Sequence, residues 1–431
     1  MDTFIKDLAT QVGKSVTLAG WVYNFRSSGG LYFLQIRDGS GFVQAVVEKS
    51  SVADEVWTAC EKMTLETSVK ITGQVSAHPK QKGVFELQVK KLAVVSLAAE
   101  DYPISKKEHG PEFLLDNRHL WLRSPKQWAI QRVRNTIINA TYAWFAQNSF
   151  TKIDAPILTP NACEGTTTLF GVDYFDLGKA YLSQSGQLYI EAAIFAHGRV
   201  FDFGPVFRAE KSKTRRHLTE FWMMDAEMAF VDLAGSMEIQ EKLISHIVKT
   251  VLADCAEELK ILERDIAPLQ KISAPFFHLT HAEAVAELHK LGSDIGAGDD
   301  LGADDETLLT QQYDKPIFIE KYPAAVKAFY MKRDAQNPDL ALCADLLAPE
   351  GYGEIIGGSQ REEDYEVLRA RLREQNLSLD DFQWYLDLRK YGSVPHSGFG
   401  YGLERLTAWI CGIKHIRETI PFPRMMNRLR P

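Results

Sequence analysis

Apolar and polar residues alternate along Ser15-Val16-Thr17-Leu18-Ala19-Gly20-Trp21-Val22-Tyr23, the period-2 pattern of a strand with one buried face. Residues 31–37, after a Ser-Ser-Gly-Gly turn, and 42–47, after Asp-Gly-Ser-Gly, continue the pattern. So do residues 69–75 and 84–89. Five short strands, with a helix-like interruption at 53–63, suit a small closed β-barrel of the OB type. A small β-sandwich fits the same periodicity equally well.

Past a polar stretch, residues 98–112, the period changes. Ile130, Val133, Ile137, Ile138 and Tyr142 recur at helical spacing and predict a helix over 127–148. Residues 150–230 read as strands with helical pieces, and 235–261 as one long amphipathic helix. The acidic, Gly-rich segment 299–310 reads as an exposed turn entering a helix. Strands return at 316–319 and 353–356, a Glu/Arg-rich helix is expected over 362–374, and a glycine-rich strand runs into a helix over 398–411. Strands with inserted helices, rather than strict alternation, favour an α+β fold with an antiparallel core.

Composition narrows the choice of function. At 431 residues and 45% apolar, the chain can bury one large core and carry a smaller companion domain. A net charge of -8 argues against a generally basic nucleic-acid coat, although a local basic face still acts over a screening length of roughly 8 to 10 Å. The N-terminus shows no basic-then-apolar signal, and no apolar run approaches membrane-spanning length. The five cysteines are scattered without C-x-x-C spacing, so neither disulfides nor zinc are expected, and the plain reading is a cytoplasmic protein. No Walker-type or Gly-x-Gly-x-x-Gly turn is present, so ATP would have to bind by another route.

Three segments carry candidate chemistry. Val206-Phe207-Arg208-Ala209-Glu210 ends a strand, and a loop rich in Lys, Arg and His leads to Glu220-Phe221-Trp222. An arginine fixed on a strand suits bidentate contact with phosphate, the loop can close over further phosphates, and Phe221 can stack on a base. The bland alternative is a solvated hairpin tip. Asp345 and Glu354 lie on apolar strand-like segments, where carboxylates are costly unless they meet a cation, and Arg361 follows Glu354 across a Gly-Gly bend. Mg²⁺ shared with phosphates fits that pair, as does a structural ion pair. In His396-Ser397-Gly398-Phe399-Gly400-Tyr401-Gly402-Leu403-Glu404-Arg405, the glycines permit close approach of a ligand, and Arg405 sits near a helix start.

Together these segments resemble the class II aminoacyl-tRNA synthetases of the aspartate/asparagine/lysine subgroup over nearly the whole length. Residues 150–156, 207–221 and 400–405 are similar to the family's three signatures. The resemblance implies an OB-fold anticodon-binding domain over 1–98, a linker over 99–118 and a class II catalytic domain over 119–431. It implies ATP as substrate, Mg²⁺, no zinc, and a homodimer with Pro156 at its interface. Arg208 would bind the α-phosphate, and Asp345 and Glu354 would hold Mg²⁺. His217 and Arg405 would meet the β/γ end, with Arg216, Leu218 and Gly402 also at the ATP site. Phe221 and Arg405 would sandwich adenine near Glu210.

Within the subgroup, Glu164–Phe170 and Ser183–Tyr189 resemble the asparaginyl members. The aspartyl members have a proline where this chain has Gly186 and a substrate-holding lysine where it has Ile190. A missing cation fits a neutral carboxamide. Asp225, by contrast, is as in aspartyl members. The resemblance thus implies L-asparagine and tRNA(Asn) as partners. Glu164, Ser185, Gln187 and Asp225 would hold the amino acid, with Arg361 at its side-chain carbonyl. Phe33 and Gln44 match anticodon-contacting positions, although a core role for Phe33 stays open; Arg26 and Lys82 are candidates for phosphate contact. Alternatives are an aspartyl enzyme (possibly charging both tRNAs), a synthetase-like asparagine synthetase, which would lack the barrel, and a non-catalytic RNA-binding relative.

Overall fold

A computed structural model of the chain describes residues 3–105, 107–160, 163, 168–212 and 214–431. The chain divides into two compact units, residues 1–117 and 118–431.

In the first unit, β1 (Ser15–Ser28), β2 (Leu31–Arg37), β3 (Phe42–Glu48), β4 (Thr67–Ala77) and β5 (Phe85–Ser96) close into a barrel in the order β1-β2-β3-β5-β4. The pairing is antiparallel except between β3 and β5. The alternating apolar positions, among them Leu18, Leu34, Ile36, Ala45, Ile71 and Leu87, fill the interior. Helix Asp54–Glu61 joins β3 to β4 and buries Val56 and Cys60. The barrel, not the sandwich, is what forms. The expected linker carries a short helix, Pro111–Asp116.

The second unit is built on an eight-stranded sheet. Its strands are β6 (Thr151–Lys152), β10 (Arg199–Phe207), β11 (Glu220–Ala229), β12 (Phe277–Thr280), β13 (Ile317–Glu320), β14 (Cys343–Ala348), β15 (Gly353–Gln360) and β16 (His396–Gly402). The order is β12-β13-β14-β15-β16-β11-β10-β6. The interior pairs are antiparallel, as expected, but both edges add a parallel pair, β12 with β13 and β6 with β10. A second sheet of β7 (Leu158–Thr159), β8 (Gly171–Asp173) and β9 (Lys179–Leu182) stands apart.

One face of the large sheet is covered by helices Pro125–Gln147, Leu233–Asp254 and Leu403–Cys411. Their apolar stripes meet Met224, Ala226, Met228, Phe399, Tyr401 and Ile356 in one core. The single helix expected over 235–261 is two, Leu233–Asp254 and Ala256–Ile261. Cys255 departs from helical geometry at φ -122, ψ 30. Apolar spacing continues across the break, so the pattern alone could not reveal it.

Strand alternation decides what the other face presents. Because Met224, Ala226 and Met228 enter the core, Met223 and Asp225 face away from it into the cleft, which Phe221 also lines while packing partly against the core. In register across the sheet lie Asp345, Gly357, Gly400, Asp225 and Asp202, one on each of five adjacent strands. Two glycines in the middle of that row leave a hollow between Asp345 and Asp225. A Cβ on Gly400 would collide with the Asp225 carboxylate.

Candidate active site

The hollow is the floor of a cleft of about 890 Å³. Its lining gathers residues from segments more than two hundred positions apart, from Ser185 to Arg405. From β10, β11 and the loop between them come Arg208, Glu210, Arg216, His217, Leu218, Phe221 and Asp225. Asp345 and Glu354 enter from β14 and β15, Arg361 from just beyond β15, and Gly402 and Arg405 from the strand-to-helix turn. Ser185 and Gln187 enter at the start of helix Gln187–His197. All these expected residues therefore share one cavity.

Arg208 is fixed by its backbone, whose N–H donates to the Thr219 carbonyl at 3.0 Å. Its guanidinium donates to the Gln184 carbonyl and lies 5.7 Å from the Phe221 ring centroid. Arg405 donates to the Glu354 carboxylate at 2.8 Å and to the Glu354 carbonyl at 3.1 Å. Arg216 is held by Glu306 at 2.6 Å, by the Thr307 hydroxyl and by the Gly351 carbonyl, and so braces the loop against helix Ala303–Thr310. Burial and the neighbouring Arg405 push the His217 imidazole below its ordinary value, which favours the neutral ring.

Carboxylates crowd this end of the cleft. Burial lifts Asp345 to about 6, with Glu354 and Asp300 adding to the push against Lys327. Burial and Glu354 likewise lift Glu306 to about 7. Burial also pushes Glu354 up, but Arg405, Lys327 and Arg208 outweigh it and hold this carboxyl below its usual range. Lys327 bridges Asp345 at 3.0 Å and Asp300 at 3.2 Å. A divalent cation would relieve such crowding, and the geometry suits one. One oxygen of Asp345 and one of Glu354 converge on Gly357, where a built Cβ would lie 3.6 and 3.3 Å from them. Two carboxylate oxygens facing open space leave further positions for phosphate and water, the donor set Mg²⁺ prefers. Among the described residues no group of three or more His, Cys, Asp or Glu side chains could hold a metal by itself.

At the other end, Asp225 accepts from the Ser185 hydroxyl at 2.8 Å and the Gly186 N–H at 3.0 Å. Arg361 pairs with Glu227 behind it. Ile190 is not at this pocket. It is fully buried in a small cluster with Ile194 and Val200, and the neighbouring Glu191 is the residue that enters the polar network around Arg361. Glu164 lies outside the described residues.

Sequence reasoning missed Glu191, Glu227, Lys327 and Glu306. Glu306 carried a signal, the acidic segment taken for an exposed turn; that segment does enter a helix, but Asp300 and Glu306 line the cleft. For the others no local pattern distinguishes them from surface charge.

In the barrel, Phe33 is half-buried and outside the core, with the Arg26 guanidinium 4.6 Å from its ring centroid. Gln44, one strand away on the same polar face, donates to Glu86 at 2.6 Å. Lys82 is exposed, as is Pro156, which is followed by the exposed apolar residues Ile157 and Leu158.

Comparison with known proteins agrees along the length of the chain. Residues 110–426 match the family of class II tRNA synthetases (D, K and N), and residues 16–95 match the OB-fold nucleic acid binding domain. An asparagine–tRNA ligase of Sorangium cellulosum (strain So ce56) is 54% identical over 437 residues, covering 99% of this chain and 98% of that protein. The structure of asparaginyl-tRNA synthetase from Pyrococcus horikoshii complexed with asparaginyl-adenylate superposes with a TM-score of 0.96 at 46% identity, covering both chains completely. Aspartyl-tRNA synthetase from Entamoeba histolytica superposes at 0.83 with 30% identity, over 100% of this chain and 93% of that one.

Proposed function

The chain belongs to the class II tRNA synthetases of the aspartate, lysine and asparagine group, and from that membership we propose how its cleft works as an asparagine–tRNA ligase. Asparagine's carboxylate attacks the α-phosphorus of ATP and pyrophosphate leaves; a ribose hydroxyl at the tRNA 3′ end then attacks the carbonyl of the mixed anhydride and AMP leaves. One observation carries the reading: a single cleft has Arg208, Arg405 and a carboxylate pair at one end and the Asp225–Arg361 pocket at the other. No side-chain nucleophile is needed, because holding two reactants in line and stabilising phosphate charge supply most of the rate.

In this reading Arg208 holds the α-phosphate, and His217 and Arg405 the β/γ end. Phe221 offers its ring to adenine beside Glu210 and Gly402. Asp225, Ser185 and Gln187 orient the α-amino end of asparagine, and Arg361 faces the side-chain carbonyl. Glu354 and Asp345 would hold Mg²⁺, which neutralises phosphate charge when bound. Phe33 and Gln44 would read the anticodon of tRNA(Asn). The exposed apolar run at Pro156 supports a homodimer, and a tRNA substrate is consistent with a cytoplasmic enzyme. The barrel argues against a synthetase-like asparagine synthetase, and the presence of Arg208, Glu354, Arg361 and Arg405 in one cleft against a non-catalytic relative.

Pyrophosphate exchange into ATP, measured with asparagine and with aspartate, tests the reading. Exchange should depend on asparagine, and the activated amino acid should pass to tRNA(Asn). Exchange driven mainly by aspartate would leave the fold and overturn the specificity.

A further inference from the structure

An arginine is a poor reader of a neutral carboxamide, since a bare guanidinium prefers a carboxylate of similar shape. Yet Arg361 stands at the closed end of the cleft, only 2% exposed. All three nitrogens of its guanidinium are engaged by neighbouring side chains. Nε and Nη2 both donate to Glu227, Nε at 3.1 Å, and Nη1 donates to the Ser359 hydroxyl at 2.6 Å. Gly398 lies between Ser359 and Glu227 in register, and a side chain there would fall on the Glu227 carboxylate.

Glu191 forms the next layer. It is completely buried and lies 3.9 Å from Arg361 Nε. It accepts from the Tyr385 hydroxyl at 2.7 Å, from Arg389 Nη2 at 2.8 Å and from Gln187 Nε2 at 3.3 Å, and His396 Nε2 lies 3.2 Å away. Among the described residues it is the one carboxylate paired with Arg389. Without Glu191, Arg389 would lose its paired carboxylate, and Arg361 would keep Glu227 as its one ion-pair partner among the described residues. In a buried site that imbalance reaches the adjoining pocket with little screening.

We propose that Glu191 makes the pocket reject a carboxylate side chain: from one layer behind the substrate it supplies the second negative charge that, with Glu227, balances Arg361 and Arg389, so Arg361 offers hydrogen-bond donors without net attraction for an anion. Glu191 touches no substrate and acts through Arg361 as a positioning and charge-setting residue. The proposal rests on the asparagine reading above.

Two charge-removing variants of the full chain shift the balance in opposite directions. Pyrophosphate exchange is measured at about pH 8, where Glu227, which burial lifts to about 7, is ionised. Glu191→Gln should lower the preference for asparagine over aspartate in kcat/KM at least about tenfold, the scale of one partly compensated charge, with KM for ATP unchanged. Arg389→Gln should instead tighten inhibition by L-2,4-diaminobutyrate, whose side chain is a cation, at least about tenfold. If one variant does not fold, the other decides. Folded variants with unaltered discrimination overturn the proposal, as does a common rise in KM for ATP and both amino acids, which loosened packing would give. Aspartate preferred by the unaltered enzyme overturns the asparagine reading itself, whereas asparagine preferred with both variants unaltered overturns the role of Glu191 alone.

Discussion

At the scale of single residues, the cleft is made by side chains whose freedom has been removed. Arg208 is held through its backbone by Thr219 and through its guanidinium by the Gln184 carbonyl, so it would need little further ordering to meet the phosphate proposed for it. Arg208→Ala should lower the rate of adenylate formation by at least about a hundredfold, read by pyrophosphate exchange, the scale for losing one preorganised charge-stabilising group. Gly357 offers a finer test of the metal assignment. A methyl there would sit 3.3 Å from Glu354 and 3.6 Å from Asp345, inside the space where their free oxygens converge. Gly357→Ala should raise the Mg²⁺ needed for half-maximal exchange on the order of tenfold, the usual cost of disturbing a metal site's surroundings. An unchanged Mg²⁺ titration in a folded variant would count against the pair as ligands.

At the scale of elements, ends and edges carry much of the specification. Helix His281–Lys290 begins with a capping box, in which the Thr280 hydroxyl accepts from the Glu283 N–H and the Glu283 carboxylate accepts from the Thr280 N–H. Just before it, edge strand β12 is tied to β13 by His278, whose Nδ1 lies 2.7 Å from Glu320. That hydrogen bond raises the His278 imidazole above its ordinary value, against the opposing effect of burial. A raised value in the folded state means stability that is full below the unfolded value of about 6.5 and fades as pH rises through the folded one. Thermal melts of His278→Gln should therefore fall below the parent under mildly acid conditions and converge with it as the medium becomes alkaline. A gap that widens with pH would refute the pairing.

At the scale of the whole molecule, the two units divide recognition from chemistry. The barrel turns its apolar alternation inward and leaves Arg26, Phe33 and Gln44 on a polar outer face. The second unit turns its apolar alternation toward helices and leaves the cleft on the opposite face. Phe33→Ala should weaken tRNA charging by about 1 to 3 kcal/mol, the worth of one base stacked on an aromatic ring, and leave tRNA-independent pyrophosphate exchange intact. Loss of both activities would place Phe33 in the fold rather than in recognition.

Local pattern and chemistry, read from the chain alone, determine the barrel strands, the helix over 127–148, the glycine-rich turn into Arg405 and the choice of residues that the structure gathers in the cleft. These depend on neighbours a few positions apart, where period and turn chemistry act. Tertiary structure alone decides what depends on register between distant strands. It sets two glycines between Asp345 and Asp225, breaks the helix at Cys255, sends Ile190 into a hydrophobic cluster, and brings Lys327 and Glu306 to the acidic end of the cleft. The burial of Glu191 beside Arg361 belongs to the same class. A charged residue inside a helical segment reads as solvated until another element covers it, and the covering residues, Tyr385, Arg389 and His396, lie about two hundred positions away.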